Sequence, residues 1–211
     1  MTARLRVGLV GLGMMGRHHA RVLRDLDGVE LAAVADPAGD PHDLAGGRPV
    51  VPSVEELLAH RLNYCVVAVP TGQHVEVGIR LAQAGMPALV EKPLAPDLTA
   101  AARLVDAFEM RGLIGAVGHI ERYNAALQSL RQRLEAGELG EVYQVATRRQ
   151  GPFPARIADV GVVKDLATHD IDLTAWVTGQ SFWTVSARTA FKSGRRHEDL
   201  VAWSASSLTA P

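Results

Sequence analysis

A single cysteine, Cys65, stands in 211 residues, so no disulfide can form within the chain. That scarcity predicts a reducing compartment and a cytoplasmic protein. Excess charge of either sign is also lacking: 22 Lys+Arg stand against 23 Asp+Glu, a formal net charge of -1. A balance so close to zero provides no whole-molecule field to gather nucleic acid or an anionic membrane, and neither is expected as a partner. No apolar run approaches the ~20 residues of a spanning helix. Met1–Arg4 leads directly into Leu5–Val10 with no separate apolar segment or small-residue cleavage site, so no secretory leader is expected. What is present is the composition of a folded globule, 47% hydrophobic and 21% charged, with 20 glycines for tight turns between short elements.

The first half alternates apolar runs with helical patterns. Leu5–Val10, Leu31–Asp36, Tyr64–Val69, Ala88–Glu91 and Leu113–Val117 are rich in Val, Leu and Ala with little polar alternation. Such runs suit strands buried on both faces. Helices are predicted between them: Met14–Leu26, a short one opened by the capping box Ser53-Val54-Glu55-Glu56, Gln73–Ala84 closed by Gly85, and Leu98–Arg111 closed by Gly112. Strand–helix alternation predicts right-handed crossovers and a parallel, doubly wound sheet. Beyond Gly118 the texture becomes α+β. Helices are expected over Asn124–Ala136 and Asp165–Val177, and strands over Glu141–Arg149 and Phe182–Arg188, with another beginning at Leu200–Trp203. Gly151-Pro152-Phe153-Pro154 reads as a loop. A boundary near residue 118 divides a domain over 1–118 from a second, partial one over 119–211.

Gly11-Leu12-Gly13-Met14-Met15-Gly16 is G-x-G-x-x-G. Alone it is a weak signal, equally a turn that tightens α/β packing. Here it follows a buried strand and opens a helix. The first glycine permits the tight turn, the second lets backbone approach a pyrophosphate, and the third lets helix and strand pack closely. Asp36 stands twenty residues beyond Gly16, at the predicted end of the second strand. A carboxylate there accepts hydrogen bonds from both ribose hydroxyls and repels a 2′-phosphate. Pro37 and Ala38 follow, with no arginine for that phosphate, so NAD is favoured over NADP.

Glu91-Lys92-Pro93 ends a predicted parallel strand, on the edge where open α/β sheets bind ligands. A lysine there can polarise a carbonyl or alcohol oxygen; taken alone it is equally a solvated strand-end lysine. With Gly11–Gly16 and Asp36, then Val69-Pro70-Thr71-Gly72-Gln73-His74, Glu91-Lys92-Pro93 and Asp165-Leu166-Ala167-Thr168-His169-Asp170-Ile171-Asp172 in order, the chain resembles the Gfo/Idh/MocA oxidoreductases over essentially residues 5–190. The resemblance implies an N-terminal Rossmann domain, a C-terminal α+β domain with an open, mostly antiparallel sheet, and NAD(P)-dependent chemistry at a ring hydroxyl of a sugar or cyclitol. It also implies a cis Lys92–Pro93 bond. By resemblance, Lys92, Asp165 and His169 are catalytic. Gly11, Gly13, Met14, Met15, Gly16, Asp36, Pro70, Thr71, His74, Glu91 and Lys92 form the cofactor-contacting set.

Asp165, His169 and Asp172 are spaced four and three apart and so share a helical face, which Trp176 continues. Two carboxylates beside an imidazole raise its basicity and fix its tautomer, as a general base requires. The same spacing also fits a solvated polar face or part of a metal site; with the resemblance, catalysis is favoured and no metal is expected. Gly118-His119-Ile120-Glu121-Arg122-Tyr123-Asn124 resembles the G-H-x-x-R-[FY]-N segment of members acting on nucleotide-linked sugars. Asp159–Leu166 is similar to 3-dehydrogenases of UDP-N-acetylhexosamines. His119, Arg122, Tyr123 and Asp172 are therefore candidate substrate contacts. Arg148, Arg149 and Arg156 are candidates for a substrate diphosphate, or else an exposed strand end and loop. His18 is read as filler in the first turns of its helix.

Members of the family usually carry a longer C-terminal domain than residues 119–211, so the fold expected is a Rossmann half with a truncated α+β domain. Phe182, Trp183, Val185, Leu200, Val201 and Trp203 lie on strands that no later helix covers. This predicts a homo-oligomer formed through the C-terminal sheet. Two functions stand open. One is a dehydrogenase or ketoreductase acting on a sugar or nucleotide-linked sugar. The other is a catalytically silent NAD-binding regulatory or partner subunit.

Overall fold

The structure, a computed structural model, describes residues 4–151 and 160–207. The chain forms two compact units, Met1–Gly118 and His119–Pro211.

In the first unit, strands β1 (Leu5–Val10), β2 (Val29–Ala35), β3 (Val50–Val51), β4 (Tyr64–Val67), β5 (Ala88–Glu91) and β6 (Gly115–Gly118) form a six-stranded sheet in the order β3-β2-β1-β4-β5-β6. Every pairing in it is parallel. Helices α1 (Met14–Asp25), α2 (Val54–Leu58), α3 (His74–Gln83) and α4 (Leu98–Glu109) lie along the chain between them. The central strands of the sheet are buried on both faces, as their unbroken apolar runs require. Alternate residues of β4 serve two cores: Cys65 and Val67 join Leu57, Leu81, Leu104 and Phe108, while Val66 joins Leu9, Leu23 and Leu31.

Local signals account for the helix starts. Ser53 Oγ accepts the N–H of Glu56 and caps α2; Asp97 does the same for α4 through Ala100. The chain reverses across the sheet between β1 and β4, and that topological switch point opens a crevice at the carboxyl ends of the strands. Short β3 was not foreseen: two residues carry no readable period. Among the described residues, no helix is long and apolar enough to cross a membrane.

The second unit contains α5 (Ala125–Glu135), capped by Asn124, and α6 (Thr168–Thr178), closed by left-handed Gly179. A wider π-helical turn over Val163–Ala167 leads into α6. Strands β7 (Phe182–Ala190) and β8 (Leu200–Ser207) pair antiparallel as a hairpin. The strand expected to begin at Leu200–Trp203 is present as β8, whereas the one expected over Glu141–Arg149 is absent. Glu141–Arg149 forms no strand: the alternation at Val142, Tyr143 and Val145 suits one, but Tyr143 lies 90% exposed and, among the described residues, no neighbouring strand supplies a ladder. Strand β8 begins at Leu200 as expected and runs through Trp203 to Ser207, its Ser/Ala end held by pairing with β7. Pro152, Phe153, Pro154, Arg156 and Asp159 lie outside the described residues.

Candidate active site

The first unit gathers its chemistry on one edge. The glycine loop follows β1, Asp36 follows β2, Pro70 and Thr71 follow β4, and Lys92 follows β5. In a parallel sheet all these strands end on the same side, at the switch point.

The three loop glycines meet different surroundings. Gly11 has a φ of 93°, and a Cβ there would sit 2.8 Å from the Ala68 carbonyl oxygen. A Cβ on Gly16 would lie 2.0 Å from the Gly11 carbonyl oxygen, so helix and loop touch at that point. At Gly13 a Cβ would meet nothing within 4 Å. The loop is closed beneath and open above its second glycine. Gly13 is also the N-cap of α1, with no side-chain cap and no acid in the first turn. Helices α2 and α4 cap themselves; α1 leaves its N–H groups and positive dipole end to an external anion. Met14 and Met15 are exposed there. Asp36 Oδ2 accepts the N–H of Leu12 at 2.7 Å and Oδ1 that of Ala38 at 2.8 Å. Each carboxylate oxygen keeps a lone pair for a ribose hydroxyl. The donor set fits a dinucleotide such as NAD.

The Lys92–Pro93 peptide is cis. Its flanking residues are anchored. Glu91 is 6% exposed; its Oε1 lies 2.7 Å from His19 Nε2, and its Oε2 accepts the N–H of Lys92 at 3.2 Å. His74 is 1% exposed, with Nδ1 2.9 Å from the Pro93 carbonyl oxygen and Nε2 2.9 Å from that of Val69. In either neutral tautomer one contact is a hydrogen bond, and the doubly protonated ring makes both. Glu91 and His74, placed by resemblance among cofactor contacts, are buried and brace the turns that carry Lys92, Pro70 and Thr71. His18 is exposed on α1, a solvated residue rather than packing filler.

In the second unit, Asp165 lies in the π-helical turn and His169 in the first turn of α6, both half-buried. π-Turns concentrate at functional sites because the wider turn re-aims side chains. Glu198, from the β7–β8 loop, accepts the N–H of Val163 at 3.0 Å and holds that turn. Asp172 is drawn to the segment after β6: both its oxygens are engaged by the Arg122 guanidinium, Oδ2 at 2.9 Å from Nε, and Oδ2 lies 3.4 Å from His119 Nδ1. That hydrogen bond raises the Arg122 pKa above its ordinary value against the opposing effect of burial. A carboxylate so engaged changes the expected picture of two acids dedicated to His169. His119, Thr168, Ile171, Asp172 and Phe182 line a cleft of about 490 Å³, and Tyr123 is 78% exposed. Arg149 pairs with Glu121 and Asp170. Burial works against its charge, yet those bonds hold its pKa above the ordinary value. Both acids tie Arg149 to the segment after Gly118 and to α6. Trp176 stacks under Arg131, 4.7 Å from the ring centroid. Among the described residues, no group of three or more His, Cys, Asp or Glu side chains is arranged to hold a metal ion.

The Gfo/Idh/MocA family model described as "Oxidoreductase family, NAD-binding Rossmann fold" matches residues 5–119, and that of the Gfo/Idh/MocA C-terminal domain matches residues 127–206. The chain belongs to the Gfo/Idh/MocA family. UDP-N-acetylglucosamine 3-dehydrogenase of Acidithiobacillus ferrooxidans is 35% identical over 178 residues, 83% of this chain and 55% of the relative. Inositol 2-dehydrogenase 2 of Saccharopolyspora erythraea is 30% identical over 204 residues, 92% of this chain and 60% of the relative. A crystal structure of the WlbA dehydrogenase from Bordetella pertussis in complex with NADH and UDP-GlcNAcA superposes with a TM-score of 0.84 at 29% identity, covering 97% of this chain and 64% of that one. This member of the Gfo/Idh/MocA family therefore spans between half and two thirds of the length of these relatives. Its first unit is the family's NAD-binding Rossmann fold.

The sequence shows His19 beside His18 after the glycine loop but gives it no role. Its partner Glu91 is 72 positions away, and no periodicity links them. The only available signal was a histidine on the sheet-facing side of a helix that opens at a phosphate loop.

Proposed function

We propose that the chain is an NAD-dependent oxidoreductase that moves a hydride between nicotinamide and a ring hydroxyl or ketone of a sugar, preferentially a nucleotide-linked one. The observation that carries the reading is the shared sheet edge. A loop open above Gly13, the ribose-binding carboxylate of Asp36 and an anchored lysine at residue 92 all emerge there. Relatives that are inositol and UDP-N-acetylglucosamine dehydrogenases, and a structural neighbour holding NADH with a UDP-sugar, support it.

NAD, when bound, supplies the hydride acceptor. Gly11–Gly16 and the N-terminus of α1 hold its diphosphate, Asp36 its adenosine ribose, and Pro70 and Thr71 flank the nicotinamide. Lys92 holds the reacting oxygen with its ammonium, a charge that counts most as the oxygen gains negative character. The His169 imidazole takes the hydroxyl proton, and Asp165 orients it. By the family resemblance, His119, Arg122, Tyr123 and Asp172 are the candidate substrate contacts. We propose that the protein works in the cytoplasm as a homo-oligomer built through β7 and β8.

The test is turnover. The purified chain is mixed with NAD and a panel of UDP-sugars, dTDP-sugars and inositols, and the absorbance of reduced nicotinamide is followed. A rise with a nucleotide-linked sugar supports the reading in full. A rise with inositols alone corrects the substrate class. Tight NAD binding with no turnover of any polyol would favour a silent NAD-binding subunit instead.

A further inference from the structure

We infer that His19 is a positioning residue for Lys92, acting through the buried carboxylate of Glu91. The inference rests on the reading of Lys92 as the group that holds the reacting oxygen, and extends that machinery to a helix no site residue had marked beyond its glycine loop.

Glu91 is an acid enclosed at the end of β5, its side chain only 8% exposed. Such a group is tolerated in a fold only when its oxygens are bound. Oε1 meets His19 Nε2 at 2.7 Å and Oε2 meets the Lys92 N–H at 3.2 Å. The third side is closed by Gly118 on β6, where a Cβ would come within 3.0 Å of Oε2. The carboxylate can therefore neither swing away nor be replaced by water without loss. It is a rigid link whose one end is the Lys92 backbone and whose other end is α1.

The position of His19 on α1 gives the link its purpose. It lies five residues after Met14, about 7.5 Å along the helix from the turn that receives the diphosphate, at 1.5 Å per residue. A helix and a strand end joined by a buried hydrogen-bonded pair move as one piece. Seating of the dinucleotide on α1 and placement of the Lys92 ammonium are thereby set in the same rigid frame. On the far side, His74 holds the Pro93 carbonyl, so both neighbours of Lys92 are fixed from other elements.

The chain contains three lysines, Lys92, Lys164 and Lys192, so selective isotope labelling of lysine makes a direct reporter, with Lys92→Arg assigning its signal. Three variants are compared with the unmodified full chain. His19→Leu removes the donor, His19→Asn keeps polarity but falls short of Glu91, and His19→Gln places an amide N–H near the imidazole Nε2 position. The expected result is a displaced Lys92 side-chain signal in the Leu and Asn variants, with the Lys164 and Lys192 signals unmoved. With NAD and a sugar that the unmodified chain turns over, kcat falls ten- to hundredfold in these two, while NAD affinity by calorimetry stays within about threefold. His19→Gln recovers most of both properties. An unchanged Lys92 signal in His19→Leu and His19→Asn overturns the inference. So does loss of NAD affinity in step with kcat, which would place His19 in the cofactor cradle. If the unmodified chain oxidises no sugar, the proposed function fails, and the lysine signal still decides whether His19 sets the position of Lys92.

Discussion

Asp36 and Leu12 are joined by a 2.7 Å hydrogen bond from the Leu12 N–H to Oδ2, so the acid that ends β2 is fastened to the loop that follows β1. Its orientation is set before any ligand arrives, and a 2′-phosphate would have to approach a fixed carboxylate. NAD is therefore expected to bind at least tenfold more tightly than NADP. Asp36→Ser with Pro37→Arg removes the repulsion and supplies a cation, and should reverse the order. Calorimetry with both dinucleotides measures this; an unmodified chain that prefers NADP contradicts it.

Gly13 and Gly16 separate binding from folding. A Cβ on Gly13 meets open space, and one on Gly16 meets backbone at 2.0 Å. Gly13→Ala is expected to keep the melting temperature within about 2 °C, since a surface change free of clashes is worth about 0.5 kcal/mol or less. It should weaken NAD at least tenfold by filling the space above the loop. Gly16→Ala should lower the melting temperature by roughly 5 °C or more, as overpacking against backbone costs about 1–3 kcal/mol. Equal melting temperatures for the two variants would refute the division.

Cys65 lies in the core between β1 and β5, and burial pushes its thiol up to about 12, only partly opposed by a hydrogen bond from the Gly8 backbone. The buried form is neutral. Its contribution to stability is complete below the usual thiol value of 9.0. It is lost as pH rises from there toward 12, at about 1.4 kcal/mol per pH unit. The native protein should resist a disulfide reagent at pH 8 and react fully once unfolded. Rapid labelling of the native chain would show that the core opens.

Trp183, Val185 and Leu200 on the β7–β8 hairpin are each more than half exposed. Burying such side chains is worth roughly 1.5–3 kcal/mol apiece, and an isolated two-stranded hairpin is marginal in water. Light scattering is expected to report a dimer or larger at micromolar concentration, and Trp183→Glu with Val185→Lys to shift it toward monomer. A well-behaved 22.6 kDa particle before mutation argues against assembly through this hairpin.

The parts of the site legible in the sequence are those encoded within a few residues. The glycine loop, its helix and the acid at the end of β2 carry their spacing in the chain, as do the caps at Ser53, Asp97 and Asn124. The cis bond before Pro93 came only with the resemblance. What stayed hidden depends on partners distant in sequence. Glu141–Arg149 has strand-like alternation but, among the described residues, no neighbour to complete a ladder, while the Ser/Ala run through Ser207 becomes strand because β7 supplies one. Likewise Glu91 and His74 carry no mark of burial in their local sequence. Their roles are decided by His19 and by two carbonyl groups that the fold brings to them.

If hydride leaves a ring carbon of a sugar whose oxygen is held by Lys92, an isotope on that carbon must follow it to the nicotinamide. A nucleotide-linked sugar deuterated at the oxidised ring carbon is incubated with the full chain and NAD, and the reduced nicotinamide is examined by mass spectrometry and proton NMR. Deuterium should appear at the reactive nicotinamide carbon with the unmodified chain. With Lys92→Ala the transfer should fall at least a hundredfold, although this variant binds NAD within tenfold of normal. Reduced nicotinamide free of deuterium, or transfer undiminished in Lys92→Ala, would contradict the account.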